Sequence, residues 1–319
     1  MRKALFIGIN GYQHVSHLSG CDNDAMEMYA VLSRHASGRP NFKGRLLTSA
    51  QDKPTKALIE QQLQELFSGD CDTALFYFAG HGAFDDSTEE GRIIGQDACN
   101  PSDGIRISDI LHWAERAQGI KNKIIILDCC QAGAAADGRG LKAGTSALSE
   151  GITILTACKK AEPALECAGQ GVFTRLLLQA LHGGAANVLG KITPGALYAF
   201  VDNALDEWEQ RPVFKTNVSR FVSLRDVAPL VPEQTLRKLP KWFPEPDSVF
   251  ALDPSFEPTD PSHDSIKGEV FAQLQQCNRH SLVEPVQAEH MYFAAMNRSG
   301  CRLTALGTYY RELAQKGHF

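Results

Sequence analysis

A histidine and a pair of cysteines follow two short apolar runs, in the segments LFYFAGHG and IIILDCCQAG. His81 comes directly after the first run, and Cys129 and Cys130 come directly after the second. A thiolate attacks a carbonyl carbon, and an imidazole beside it both stabilises the thiolate and can later protonate the leaving amine. The two segments therefore predict a nucleophilic thiol with a histidine base.

A structural interpretation competes with this one, because a histidine after a strand is commonly a polar loop residue and cysteine often serves as a small buried hydrophobe. What favours catalysis is the repetition of one arrangement. Both residue types follow an apolar run, both are near glycines that permit a sharp turn, and the two runs are consecutive strands of the predicted fold.

The elements that must position these residues are short apolar runs that alternate with helical periods. Continuous apolar runs are typical of buried parallel strands, and alternation with helices indicates an α/β fold with a parallel sheet covered on both faces. In such sheets the chemistry collects beyond the carboxyl ends of the strands. The predicted strands span residues 4–9, 73–79, 123–128, 152–157 and 218–224.

Composition excludes several other classes of function. The formal net charge of -5 provides no basic field for nucleic acid or for an anionic membrane surface. No apolar run approaches the roughly 20 residues of a membrane span, and the N-terminus does not read as a signal peptide. The nine cysteines are odd in number and form no C-x-x-C pair, which favours reduced thiols and a cytoplasmic location.

The sequence resembles the caspase-like cysteine peptidases, and metacaspases in particular. The resemblance runs from about residue 1 to residue 224 and rests on the segments ALFIGIN, LSGCDNDA, FYFAGHG, ILDCCQAG, GQGVFTRLLLQAL and QRPVF. It implies a caspase-hemoglobinase-type α/β/α sandwich with a mostly parallel sheet. It also implies endopeptidase activity on protein or peptide substrates.

The same resemblance assigns the catalytic residues. Within DCCQAG, Asp128 matches the family's acid, Cys129 its serine and Cys130 its nucleophile, whereas Gln131 and Ala132 depart from the family pattern. We expect His81 and Cys130 to form the dyad, with the backbone N–H groups of Gly82 and Cys130 stabilising the oxyanion. The alternative is a catalytically silent homologue that binds peptides or partners through the same cleft.

Three residues match the positions that shape the pocket for arginine or lysine in metacaspases: Cys21, Asp24 and Asp128, with Ala79 in place of a serine. Two convergent carboxylates suit a guanidinium. The alternative interpretation is that Asp24 caps the following helix and that Asp128 merely ends a strand.

Two further segments carry weaker expectations. The acidic residues that follow His81 make calcium conceivable, but their spacing matches no EF-hand pattern, so we expect neither a metal site nor a cofactor. The segment AAADGRGLKAGT places Arg139 and Lys142 among small residues, which is typical of a loop open to proteolysis. Autoprocessing at these two residues is the corresponding hypothesis.

Domain organisation follows from a change in composition, since eight of the fifteen prolines lie between Pro229 and Pro261. The sequence predicts a peptidase domain at residues 1–226, a proline-rich linker at 227–262 and a small helical module at 263–319. Within this module, the segment LVEPVQAEHMYFAAMNRSGCRLTALGTYY resembles a short helical module that ends several bacterial defence effectors. It is either a stabilising cap or a sensor for an activator, for example a small molecule or a nucleotide second messenger.

Overall fold

The computed structural model describes residues 1–85, 90–129, 148–157, 166–167, 170–205 and 212–319. These residues fold into two compact units: residues 1–186 with 191–227, and residues 187–190 with 228–319. None of the helices in the described ranges has the length and apolar character that crossing a membrane requires.

The first unit contains thirteen strands and five α-helices. The strands are β1 (Arg2–Gly8), β2 (Lys43–Thr48), β3 (Cys71–Ala79), β4 (Gly82–Asp85), β5 (Glu90–Ile93), β6 (Ile105–Arg106), β7 (Ile120–Asp128), β8 (Ile152–Thr156), β9 (Glu166–Cys167), β10 (Gln170–Gly171), β11 (Lys191–Ile192), β12 (Val213–Asn217) and β13 (Arg225–Asp226). The helices are α1 (Cys21–Ser33), α2 (Lys56–Leu66), α3 (Ile107–Arg116), α4 (Val172–Gln179) and α5 (Pro194–Ala204). Both counts refer to the described part of the chain.

Six of these strands form the central sheet in the order β12-β8-β7-β3-β1-β2. All its pairs are parallel except β12 with β8, which is antiparallel. Four of the five predicted strands are confirmed as β1, β3, β7 and β8. The mostly parallel sheet flanked by helices confirms the predicted fold class.

The fifth predicted strand is wrong, because the strand is β12 and residues 218–224 follow it. The strand β2 was not predicted at all. Both strands lie at edges of the sheet and are partly exposed to solvent. Their sequences, KGRLLT and VFKTN, therefore mix polar and apolar residues and do not form continuous apolar runs.

Side chains of the central strands alternate between two apolar layers. Leu5, Phe76, Phe78, Ile125 and Leu127 belong to the layer that includes residues of α2 and α3. Phe6, Tyr77, Ile124 and Ile126 belong to the opposite layer, with residues of α1, α4 and α5. This division confirms the predicted α/β/α sandwich.

The second unit is a mixed module. Its strands are β14 (Val249–Ala251), β15 (Val283–Val286) and β16 (Gly300–Leu303), which form an antiparallel sheet in the order β14-β16-β15. Its helices are α6 (Glu233–Leu236), α7 (Leu239–Trp242), α8 (Ser265–Arg279), α9 (Met291–Met296) and α10 (Ala305–Gln315).

The structure differs from the expectation of an extended linker at residues 227–262. This segment supplies α6, α7 and β14 to the second unit, and Leu239 and Phe243 are fully buried in its core. Two of the prolines stand where a helical element begins, a position that tolerates proline: Pro240 lies in the first turn of α7, and Pro254 begins a 3₁₀ turn. The segment beginning near residue 263 is also not purely helical, since it contains β15 and β16.

Candidate active site

The ends of β3 and β7 lie side by side. Ala79 is the register partner of Asp128, and the backbone N–H of Gly80 donates to the carbonyl oxygen of Asp128 at 3.3 Å. His81 follows Ala79 by two residues, and Cys130 follows Asp128 by two residues. Cys130 itself lies outside the described residues. The structure therefore places the two strand ends that precede His81 and Cys130 next to each other.

The His81 side chain is oriented by the loop between β1 and α1. Its Nε2 atom lies 2.8 Å from the carbonyl oxygen of Ser16. A carbonyl can only accept, so Nε2 is the protonated nitrogen in this contact, and in the neutral ring Nδ1 is then the basic one. With Nε2 donating to a carbonyl, Nδ1 is the ring nitrogen that can accept a proton.

Cys129 occupies the apolar layer that contains Phe76 and Phe78 and is fully buried there. The preceding residue, Asp128, contacts Thr174 of α4 instead. This alternation follows the period of an extended strand. The side chains of Asp128 and Cys129 thus lie on opposite faces of the sheet.

The two acids of the predicted pocket converge on Gly171, the last residue of β10. Oδ2 of Asp24 accepts a hydrogen bond of 3.0 Å from the Gly171 N–H. A Cβ atom at position 171 would lie 2.7 Å from Oδ2 of Asp128 and 3.1 Å from Oδ2 of Asp24. Only 1% of Asp24 and 7% of Asp128 is exposed. The structure therefore brings the two carboxylates together in a buried position.

The capping interpretation of Asp24 is not supported, because Gly20 is the N-cap of α1 and Asp24 lies within its first turn. Its carboxylate binds the backbone of a different element. Asp128 likewise does more than end a strand, since Oδ2 accepts a hydrogen bond of 2.6 Å from the Thr174 hydroxyl.

Sequence reasoning missed Tyr77, whose hydroxyl continues this contact. It lies 2.5 Å from Oγ1 of Thr174, and because Thr174 has one hydroxyl proton, given to Asp128, Tyr77 is the donor. Burial, and secondarily the charges of Asp128 and Asp24, raise the pKa of Tyr77 well above its ordinary value. The Tyr77 hydroxyl is therefore a neutral donor at physiological pH.

The third predicted pocket residue, Cys21, begins α1 and is buried in the same apolar layer as Tyr77 and Ala79. Its thiol also contributes to the raised pKa of Tyr77, which places it near that hydroxyl. Cys21, Asp24 and Asp128 thus all act electrostatically on one hydroxyl. Gly171 and Thr174 lie in GQGVFTR, a segment that supported the family resemblance, but neither their contacts nor that of Tyr77 had a signal in the sequence.

Several other predicted features have a definite structural role or lie outside the described ranges. Asp85 pairs with Arg92 at 3.5 Å, and Asp97 accepts from the backbone N–H of Lys56 at 2.8 Å. Within the described ranges no three His, Cys, Asp or Glu side chains are grouped as metal ligands. Arg139 and Lys142, the predicted autoprocessing residues, lie outside these ranges, as do two acids that follow His81, Asp86 and Glu89.

Comparison with solved structures shows the same fold. The chain superposes on protein GSU0716 from Geobacter sulfurreducens with a TM-score of 0.53 and 17% identity, covering 71% of this chain and 97% of that one. It superposes on caspase-1 from Spodoptera frugiperda with a TM-score of 0.52 and 15% identity, covering 70% of this chain and 90% of that one.

A sequence relative is Metacaspase-1 from Yarrowia lipolytica, which is 33% identical over 121 residues. The match covers 35% of this chain and 26% of the relative, so the chain spans about a quarter of that protein's length. The family model described as Caspase domain matches residues 1–222, which include β1, the His81 turn and both carboxylates of the acid pair. By this match over more than half of its length, the chain belongs to the caspase family of cysteine peptidases.

Proposed function

We propose that this protein is a cysteine endopeptidase in which His81 and Cys130 form the catalytic dyad. The observation that carries the proposal is the register of β3 and β7, in which Ala79 faces Asp128. His81 follows Ala79 by two residues, and Cys130 follows Asp128 by two residues. Membership of a family of cysteine peptidases gives that juxtaposition its chemical meaning.

The proposed reaction proceeds in two stages. His81 accepts the Cys130 proton at Nδ1, and the thiolate forms a bond to the carbonyl carbon of the scissile peptide. The backbone N–H groups of Gly82 and Cys130 bind the oxyanion, and His81 returns the proton to the leaving amine as the C–N bond breaks. Water activated by His81 then hydrolyses the thioester and frees the thiol.

Cleavage after arginine or lysine is the proposed specificity. Its support is the convergence of Asp24 and Asp128 on Gly171 at the carboxyl edge of the sheet, beside the strand that leads to Cys130. Buried carboxylates favour a charged partner because water screens them poorly. A guanidinium bound to these two carboxylates would therefore interact mainly with protein groups and little with water.

The experiment that tests both proposals uses a peptide with a C-terminal arginine that carries a thiol-reactive group. Wild type and Cys129→Ala should be labelled, and Cys130→Ala should not, because only Cys130 serves as nucleophile. His81→Ala should slow peptide cleavage by about 10²- to 10⁴-fold, the usual contribution of a general base. Labelling of Cys130→Ala but not of Cys129→Ala would transfer the role to Cys129.

The remaining proposals concern regulation and setting. A cytosolic peptidase needs control, and the second unit is a candidate sensor for a small-molecule or nucleotide activator in a bacterial defence response. Cleavage after Arg139 or Lys142 by the enzyme itself is a second candidate control. Mass spectrometry of the protein after incubation with an activator, compared with Cys130→Ala, tests self-cleavage directly.

A further inference from the structure

Tyr12 contacts His81 at both its backbone and its side chain. The Tyr12 hydroxyl accepts a hydrogen bond from the His81 N–H, with 2.7 Å between the two heavy atoms. The two rings also pack together, with their centroids 4.6 Å apart. Tyr12 is 3% exposed, and burial raises its pKa well above the ordinary value, so the hydroxyl remains neutral.

Gly80 makes room for this contact. A Cβ atom at position 80 would lie 2.5 Å from the Tyr12 hydroxyl oxygen and 2.9 Å from Cζ of Phe78. A methyl group cannot occupy that space unless the tyrosine moves. The close approach of Tyr12, rather than a left-handed backbone, is therefore what requires glycine before His81.

The loop that carries Tyr12 also carries Ser16, whose carbonyl oxygen lies 2.8 Å from Nε2 of His81. The base of this loop is tied to β2 and α1 through Ser49. The Ser49 hydroxyl accepts from the backbone N–H groups of Asn10 and Gly11 at 3.1 Å and donates to Asp22 at 2.6 Å. One anchored loop thus holds both the main chain and the ring of His81.

We infer that Tyr12 is a positioning residue for His81, and that its hydroxyl sets where the imidazole stands relative to the nucleophile. This inference rests on the proposed function, in which His81 is the base. The His81 backbone is further held by the N–H of Ile94, which donates to the His81 carbonyl at 3.0 Å. Loss of the Tyr12 acceptor leaves that bond and the Ser16 contact in place, so the ring shifts without being released.

The test compares Tyr12→Phe with Tyr29→Phe in the full chain. Tyr29 lies on α1, where its ring packs against Phe6 at 5.7 Å, so it is a matched loss of a hydroxyl away from His81. Tyr12→Phe should lower kcat for an arginine peptide by about 10- to 100-fold, because small misplacements of a catalytic group cost that much. KM should be unchanged, since the acid pair keeps its contacts. Tyr29→Phe should change neither constant.

Amide hydrogen exchange supplies a readout that does not depend on activity. In Tyr12→Phe the His81 amide should exchange about tenfold faster than in wild type, since it loses its only described acceptor. In Tyr29→Phe it should exchange at the wild-type rate. If the wild type cleaves no peptide and Cys130 takes no label, the proposed function fails, and the exchange rate still decides whether Tyr12 holds His81.

Gly80→Ala provides a second route to the same result, because it keeps the hydroxyl but displaces it. It should lower kcat, and Tyr12→Phe should cause no additional loss in the Gly80→Ala background. Unchanged kcat and unchanged His81 exchange in Tyr12→Phe would overturn the inference. So would a rise in KM at constant kcat, or losses from the two substitutions that multiply in the double variant.

Discussion

The hydroxyl of Thr174, in the first turn of α4, donates a hydrogen bond of 2.6 Å to Oδ2 of Asp128 at the end of β7. This bond joins a helix of one layer to the strand that leads to Cys130. It fixes the orientation of one carboxylate of the acid pair while the Gly171 N–H fixes the other. The pair is thereby oriented before a substrate arrives.

Asp24→Asn should weaken cleavage after arginine because it removes one of the two buried charges. Charged hydrogen bonds contribute about 1.5–3 kcal/mol, so we expect kcat/KM for an arginine peptide to fall about 10- to 100-fold. A peptide with citrulline, the neutral isostere of arginine, should lose far less. Steady-state kinetics on both peptides measure this, with Asp109→Asn as control, since Asp109 is a half-buried acid of α3 that pairs with Arg106. Equal losses on the two peptides would contradict a charge effect.

Gly171→Ala should disrupt the acid pair by steric contact. The new methyl group would stand 2.7 Å from Oδ2 of Asp128, so the carboxylates must separate. Overpacking of this kind costs about 1–3 kcal/mol of stability, and kcat/KM for basic peptides should fall by more than about tenfold. The control is Gly195→Ala, whose methyl group would have the partly exposed ring of Phe221 as its nearest neighbour, at 3.2 Å. Normal cleavage by Gly171→Ala would show that the pair has room to adjust.

Alkaline pH should destabilise the second unit through two buried thiols. Burial raises the pKa of both Cys277 and Cys301 to about 12, whereas an unfolded thiol titrates near 9.0. A folded pKa above the unfolded one gives stability that is complete below pH 9.0 and declines as the pH rises toward 12. Each thiol's contribution should fall by about 1.4 kcal/mol per pH unit within that window.

Urea unfolding at several pH values between about 8 and 11 measures this decline. The slope of stability against pH should be smaller in Cys277→Ala/Cys301→Ala than in wild type. The exposed Cys99→Ala serves as the control and should keep the wild-type slope. Identical slopes in the double variant and wild type would show that these thiols do not govern the alkaline transition.

A fragment of residues 1–263 should aggregate more than a fragment of residues 1–227. The longer fragment keeps α6 and α7 but loses α8 and α10, which complete the core around Leu239 and Phe243. Exposed apolar surface of that kind promotes association and binds hydrophobic dyes. Dye fluorescence and size-exclusion chromatography should therefore report aggregation of the 1–263 fragment only. A monomeric, dye-free 1–263 fragment would restore the interpretation of residues 227–262 as a linker.

The sequence was most informative for strands that are buried on both faces of the sheet. Central strands such as β3 and β7 are covered on both faces, so continuous apolar runs identified them, and the sequence could therefore place His81 just after the end of β3. Edge strands and the proline-rich segment were misread because their signals are mixed. Lys215 in β12 argues against a buried strand, and Pro240 in α7 argues against a helix, when their neighbours are unknown.

The polar partners of the site were beyond prediction for a different reason. Tyr77 reads as one more core residue of an apolar run, and Thr174 reads as part of a helix. Their roles depend on a contact between three elements: the Tyr77 hydroxyl of β3, the Thr174 hydroxyl of α4 and the Asp128 carboxylate at the end of β7. Spacing along the chain does not predict such a contact. Asp24 and Asp128 were recognised as a pair through family resemblance, and the structure adds Gly171 as the residue between them.

The strand β2 has a consequence for solubility at high concentration. It forms one edge of the central sheet, and its Lys43 and Arg45 side chains are exposed at alternate positions. An exposed strand edge is a template on which a second chain can add a strand, and charged side chains oppose that addition. A second copy that added its own β2 at this edge would bring further positive charge close to Lys43 and Arg45. Such like-charge repulsion would oppose the addition of a second copy at this edge, and the opposition should weaken as salt concentration rises.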